Sequence, residues 1–175
     1  MNLITVTGPS NSGKSEWAEY LASSYPSVIY IATSDNIEND DNWNKRISRH
    51  KARRPESWDL LVCNKDISDE INKLDSETLL IDSLGGYVSS LLDKSDEAWD
   101  KISSKFINAI RQYNGMIILV IEEVGWGLVS EFKVGNMFRD RISFLSRSIN
   151  NYSNESWLVI QGNAINMTLL SSKVP

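Results

Sequence analysis

The residues Gly8-Pro9-Ser10-Asn11-Ser12-Gly13-Lys14-Ser15 follow the spacing G-x-x-x-x-G-K-[ST] without departure. Glycines at the two ends of such a loop let the backbone wrap a phosphate with its N–H groups, and the helix that follows adds its positive end. Lys14 is then placed to reach the β- and γ-phosphates of a triphosphate, and the Ser15 hydroxyl to ligate Mg²⁺. Asp82 closes the apolar run Leu79-Leu80-Ile81 and is the candidate acid for the same Mg²⁺. A second acidic site, Glu122-Glu123, ends the run Ile117–Ile121 and precedes Gly125-Trp126-Gly127. Paired carboxylates before a glycine-flanked loop suit a metal or a general base; Glu123 joins Lys14 and Asp82 as a catalytic candidate, and the choice of base among Glu122, Glu123 and Asp82 stays open.

A third group of residues surrounds the chain's single histidine, His50. From Lys45 to Arg54 the chain carries six of its 18 cations and no acid. If this stretch is helical, Arg46, His50 and Arg53 or Arg54 share a face. Three readings stand side by side: a solvated basic helix, a nucleic-acid patch, or an anion site that works with the phosphate loop. Under the third, neighbouring cations penalise protonation and keep the imidazole neutral and nucleophilic, suited to attack on an α-phosphate.

These residues need a scaffold. Short apolar runs at Leu3–Val6, Val28–Ala32, Leu60–Val62, Leu79–Ile81, Ile117–Ile121 and Trp157–Ile160 read as strands. Their nearly continuous apolar character is that of parallel strands covered on both faces. Between them lie helical patterns, the clearest being Ser95–Tyr113, with Ser95 as N-cap and Asn114-Gly115 as the stop. Alternating β and α elements predict an open α/β sheet with ligands at the carboxyl ends of the strands.

Composition narrows the function classes. The chain has 175 residues and a formal net charge of -5, which opposes general binding to a phosphate backbone. One cysteine, Cys63, excludes an internal disulfide, and one histidine excludes two-His metal motifs. No secretory leader is legible, and the longest apolar run, Met116–Ile121, is far too short to span a membrane. The expectation is a cytoplasmic protein folded as one domain over residues 1–175. The Asn- and Ser-rich stretch Ser146–Ser156 is interleaved with apolar residues and reads as compositional bias, not as a linker.

The ordered set Val6-Thr7-Gly8, Ser12-Gly13-Lys14-Ser15, Tyr30-Ile31-Ala32-Thr33-Ser34, Arg46-Ile47, His50, Arg54-Pro55 and Trp58 resembles the bifunctional adenosylcobinamide kinase / adenosylcobinamide-phosphate guanylyltransferase family of cobalamin biosynthesis. Leu80-Ile81-Asp82-Ser83-Leu84, Glu123-Val124-Gly125-Trp126-Gly127-Leu128-Val129 and Phe138-Arg139-Asp140 continue the likeness, which spans residues 1 to about 145. The sequence departs from the family pattern at Val62, Glu122, Ser130, Ser143 and Ser146-Arg147.

The resemblance implies a RecA-like P-loop fold with a mostly parallel sheet and a homotrimer. It implies a γ-phosphoryl transfer to adenosylcobinamide and a GMP transfer from GTP to adenosylcobinamide phosphate. His50 is by resemblance the residue that carries GMP, and Thr33-Ser34-Asp35 with Arg53 and Arg54 lie in the nucleotide region. GTP or ATP with Mg²⁺, and a corrinoid acceptor, are the implied ligands. Two other readings of the residues stay open: a P-loop small-molecule kinase without nucleotidyl transfer, and a nucleotide-dependent regulatory NTPase.

Overall fold

The computed structural model describes residues 2–33, 53–63, 65, 67–75, 77–127 and 129–174. Seven strands form one sheet: β1 (Asn2–Gly8), β2 (Val28–Ala32), β3 (Asp59–Val62), β4 (Thr78–Asp82), β5 (Met116–Glu122), β6 (Glu155–Ile160) and β7 (Asn163–Asn166). Their order across the sheet is β3-β2-β4-β5-β1-β6-β7. Every pairing is parallel except β6–β7, which is antiparallel. The mostly parallel α/β sheet expected from the six apolar runs is therefore present, and each run forms a strand.

The helices are α1 (Lys14–Ala22), α2 (Ile67–Ile71), α3 (Leu84–Ser89), α4 (Asp96–Gln112), α5 (Lys133–Asn150) and α6 (Met167–Leu170). They cover both faces of the central strands, which explains the unbroken apolar runs there; the edge strand β3 differs, its Leu60 and Val62 being exposed. Side chains alternate along a strand, so one face takes Ile4, Val6, Tyr30, Leu80, Ile118 and Val120, packed with Ala18 and Ala22 of α1. The other takes Leu3, Ile31, Leu79, Ile81, Ile117 and Leu119 under α3, α4 and α5, with Tyr87, Phe106, Ile142 and Leu145 among the packed residues. Helix α4 starts where its sequence says it should: the Ser95 hydroxyl accepts from the Ala98 N–H at 3.3 Å.

Ser146–Ser156 proves to be structured. It contains the last turn of α5 and the start of β6. Its polar residues close the amino-terminal edge of the sheet, where Asn154 accepts from the Leu3 N–H at 2.9 Å and Thr5 donates to Asn150 at 3.0 Å. β7 was not legible as a strand. The hairpin that carries it turns on only two residues, Gln161 and Gly162, both at positive φ (50° and 75°). That is the geometry of a tight primed turn.

Candidate functional site

The carboxyl ends of β1, β5, β4 and β2 lie along one rim of the sheet, and the described candidates Gly8–Ser15, Thr33, Asp82 and Glu123 stand at or just beyond these strand ends. β1 hands the chain directly to the phosphate loop and then to α1. Within the loop Asn11 and Gly13 take positive φ (55° and 96°), which turns successive N–H groups toward one concave side. Gly8 answers to a contact: a Cβ there would lie 2.3 Å from the Val159 carbonyl oxygen and 2.6 Å from Ser12 Oγ. No other residue fits between β1 and β6 at this level.

Pro9, Ser10 and Asn11 form the outer part of the loop, whereas Ser12, Lys14 and Ser15 are buried. Lys14 is only 5% exposed, and its ammonium donates to the Pro9 carbonyl at 3.2 Å. The cation is thus folded back across the mouth of its own loop, where an anionic ligand can draw it off. Ser12 Oγ is buried without a hydrogen-bond partner among the described residues. A buried hydroxyl left unpaired inside a phosphate loop is a donor held ready for a ligand oxygen.

The acids come from the neighbouring strands. Gly8 pairs with Glu122 in the β1–β5 register, and the Glu123 N–H donates to the Gly8 carbonyl at 2.9 Å. Glu123 therefore borders the phosphate loop, one oxygen accepting from the Gly125 N–H at 2.7 Å. Asp82 ends β4, and β5 lies between it and β1. Two strand spacings separate the Asp82 and Gly8 strands by about 10 Å, room for phosphate oxygens and a hydrated cation. The Asp82 carboxylate accepts from the Tyr30 hydroxyl at 2.7 Å. Burial first, and then the adjacent Asp82 charge, raises the Tyr30 pKa far above that of a free phenol. Tyr30 stays a proton donor to Asp82 at any ordinary pH.

Glu122 is held differently from Glu123. Its carboxylate accepts from the Ser83 hydroxyl and, at 2.7 Å, from the Gly85 N–H at the start of α3. A Cβ at Gly85 would come within 2.5 Å of this carboxylate, so the glycine makes the seat. Thr33 is fully buried. Its hydroxyl donates to the Ser83 carbonyl at 2.5 Å and accepts from the Ser83 N–H at 2.9 Å. Thr33 thus fixes the chain as it leaves Asp82; its hydroxyl is engaged within the protein.

Arg53 spans two carboxylates of α1, Glu16 and Glu19, each at 2.9 Å. Arg54 lies over the Tyr30 ring, 4.2 Å from its centroid. Both arginines thus reach the phosphate-loop side of the sheet, through contacts to protein groups. Ser34, Asp35 and His50, and with them the proposed helix of the basic run, lie outside the described residues. Among the described residues no cluster of three metal-binding side chains exists.

Residues 4–167 match the family model described as cobinamide kinase / cobinamide phosphate guanyltransferase. The chain belongs to this family. It is 33% identical over 178 residues to the bifunctional adenosylcobalamin biosynthesis protein CobU of Escherichia coli K12, with 91% of this chain and 96% of that one aligned. The protein of the same name from Salmonella typhimurium is 31% identical, again over 91% and 96% of the two chains. CobP of Pseudomonas aeruginosa is 31% identical over 82% of this chain and 84% of that one. Among solved structures, an ATPase of a bacterial type III secretion system superposes with a TM-score of 0.61 at 9% identity, over 98% of this chain and 60% of that one. A protein from Pyrococcus horikoshii OT3 gives 0.55 at 8% identity, over 99% and 91% of the two chains. These likenesses are of fold: the mostly parallel α/β sheet that the strand pattern predicts is shared with a solved ATPase.

The family pattern did not assign three features of this site. Tyr30 as the partner of Asp82, the Ser83–Gly85 seat of Glu122, and the β6–β7 turn against the phosphate loop all depend on residues far apart in sequence. Only the turn left a local trace, a glycine second in a two-residue gap between Ile160 and Asn163.

Proposed function

We propose that the chain transfers the γ-phosphoryl of a nucleoside triphosphate to the hydroxyl of adenosylcobinamide. It then transfers GMP from GTP to adenosylcobinamide phosphate, giving adenosylcobinamide-GDP. The observation that carries the reading is the phosphate loop, with Lys14 buried inside it and Asp82 and Glu123 on the same rim, in a chain of this family.

In the first reaction the acceptor hydroxyl oxygen attacks the γ-phosphorus, the bond to the β-phosphate breaks, and Glu123 takes the hydroxyl proton. Lys14 and the loop N–H groups offset the charge on the transferring phosphoryl group. The Ser15 hydroxyl and the Asp82 carboxylate, aligned by Tyr30, would hold Mg²⁺ with the phosphate oxygens, where the ion neutralises charge on the triphosphate. In the second reaction the His50 imidazole attacks the α-phosphorus of GTP and pyrophosphate leaves. The phosphate of the acceptor then takes GMP, the P–N bond breaks, and the imidazole is regenerated.

The described anchors support a shared site. Arg53, which the resemblance places in the nucleotide region, is tied by ion pairs to Glu16 and Glu19 of α1, the helix that follows the phosphate loop. Thr33 follows β2 at the same rim, and Arg54 brings a cation over the Tyr30 ring, whose hydroxyl donates to Asp82. A cytoplasmic homotrimer completes the proposal, and light scattering of the pure protein tests the assembly.

Incubation with GTP labelled at the α-phosphate is expected to give an acid-labile, base-stable protein adduct that His50→Ala abolishes. A wild-type protein that binds GTP and turns over γ-phosphate, yet stays unlabelled, is a kinase alone. Labelling that persists in His50→Ala moves the covalent step to another residue.

A further inference from the structure

The β6–β7 turn is joined to the phosphate loop on the side away from the acids. The Gly162 N–H donates to the Ser12 carbonyl at 3.0 Å. A Cβ on Gly13 would sit 3.8 Å from Gly162 Cα and 3.8 Å from Val159 Cγ1. Across the sheet the order β4-β5-β1-β6-β7 puts Asp82 and Glu123 to one side of the loop and this turn to the other. A triphosphate whose reacting end faces the acids must send its nucleoside out over the turn.

The turn's first residue is chemically out of place. Two-residue primed turns favour Asn, Asp or Gly at both centres, because at positive φ a longer side chain crowds the following carbonyl oxygen. Here the first centre is Gln161, at φ 50°, and the second is Gly162. Asn163 is committed locally, its amide donating to the Gln161 carbonyl at 3.1 Å. The Gln161 side chain is exposed, and its carboxamide has no hydrogen-bond partner among the described residues. Where a local preference is broken without a compensating contact in the fold, a ligand is a physical candidate for the missing contact.

We infer that Gln161 is a specificity-determining residue, its carboxamide hydrogen-bonding the purine base of the nucleoside triphosphate held by the phosphate loop. A carboxamide offers one acceptor and two donors, enough to pair with the edge of guanine or of adenine. The inference rests on the nucleotide-binding reading above and deepens it.

The test is calorimetric titration of the full chain with GTP, ATP, CTP and inorganic tripolyphosphate. Gln161→Asn suits the turn better and shortens the amide; Gln161→Gly removes it and relieves the backbone, so both variants should fold. Both are expected to raise the Kd of GTP or ATP roughly 3- to 15-fold, while tripolyphosphate stays within about twofold. CTP should bind the wild type more weakly than the preferred purine nucleotide. Unchanged purine affinity in both variants overturns the inference. So does an equal loss for tripolyphosphate, which would mean that the turn only supports the loop. Wild-type protein that binds tripolyphosphate but gains nothing from the base also overturns it, leaving the phosphate loop intact. Failure to bind any of the four ligands removes the nucleotide reading and the inference together.

Discussion

The Tyr30 hydroxyl donates to Asp82 while Arg54 stacks on the same ring, so one strand residue aligns a carboxylate and a cation beside the phosphate loop. A hydrogen bond to a charged group contributes about 1.5–3 kcal/mol, so Tyr30→Phe should destabilise the fold by that order. It should also loosen Asp82. Tyr30 carries a pH signature as well. Its folded pKa lies above the unfolded value of 10.0, so its contribution is complete below pH 10. Above that pH the unfolded chain ionises while the folded one does not, and stability falls by at most about 1.4 kcal/mol per pH unit from this group. Tyr113, which donates to the Glu77 carbonyl and is pushed up to about 12 chiefly by burial, acts in the same direction. Denaturant unfolding between pH 9 and 11 should therefore show a shallower alkaline decline in Tyr30→Phe than in the wild type. Equal slopes would contradict the buried Tyr30–Asp82 pair.

At the scale of elements, the inserted strand β5 sets the site. It separates the loop strand from the Asp82 strand and supplies Glu123 between them. The two acids at its end then part company. Glu122, where the family pattern departs, is seated by Ser83 and Gly85, whereas Glu123 joins Gly8 through its backbone N–H and its carboxylate accepts from the Gly125 N–H. Ser130, another departure, is absorbed at the entry to α5, where its backbone N–H and carbonyl both pair with the Asn136 amide and its hydroxyl accepts from the Phe132 N–H. Helix α1 has a second role as the anchor for Arg53. These are partly exposed ion pairs, so Arg53→Ala should cost no more than about 1 kcal/mol in stability. Its larger effect should fall on the His50 segment: slower labelling by α-labelled GTP, with γ-phosphate transfer held near the wild-type rate. A matching loss in both reactions would place Arg53 on the triphosphate itself.

At the scale of the molecule, Arg141 joins pieces of the fold that the phosphate site never touches. It is 6% exposed, and its guanidinium donates to the carbonyls of Leu91 (3.0 Å) and Lys94 (2.8 Å) and to the Asp96 carboxylate (3.0 Å). It thereby ties α5 to the start of α4, against the Trp99 ring. Arg141→Ala takes the side-chain donor from the part-buried Lys94 carbonyl, leaves the Leu91 carbonyl only its bond from the Lys94 N–H, and removes the packing on Trp99, a loss of about 2–4 kcal/mol. For a chain of this size the thermal midpoint should drop by roughly 5–15 °C, with triphosphate affinity unchanged below the transition. Calorimetry and a binding titration on the same variant check both parts.

Much of this protein was present in local sequence. The phosphate loop needs only eight consecutive residues, because each of its contacts to a phosphate is made by neighbouring backbone groups. The inner parallel strands were visible because burial on both faces demands unbroken apolar runs; the edge strand β3 shows such a run although its Leu60 and Val62 are exposed. Helix α4 announced itself through Ser95 and its apolar stripe. What tertiary structure alone decided is how these pieces face one another: β5 between the loop and Asp82, Tyr30 under Asp82, Glu122 seated by Ser83 and Gly85 and Glu123 joined to Gly8, and the Gln161 turn against Ser12. Those relations join residues from about 40 to 150 positions apart. Strand order and cross-strand contact follow from the packing of the whole sheet, and no spacing along the chain encodes them.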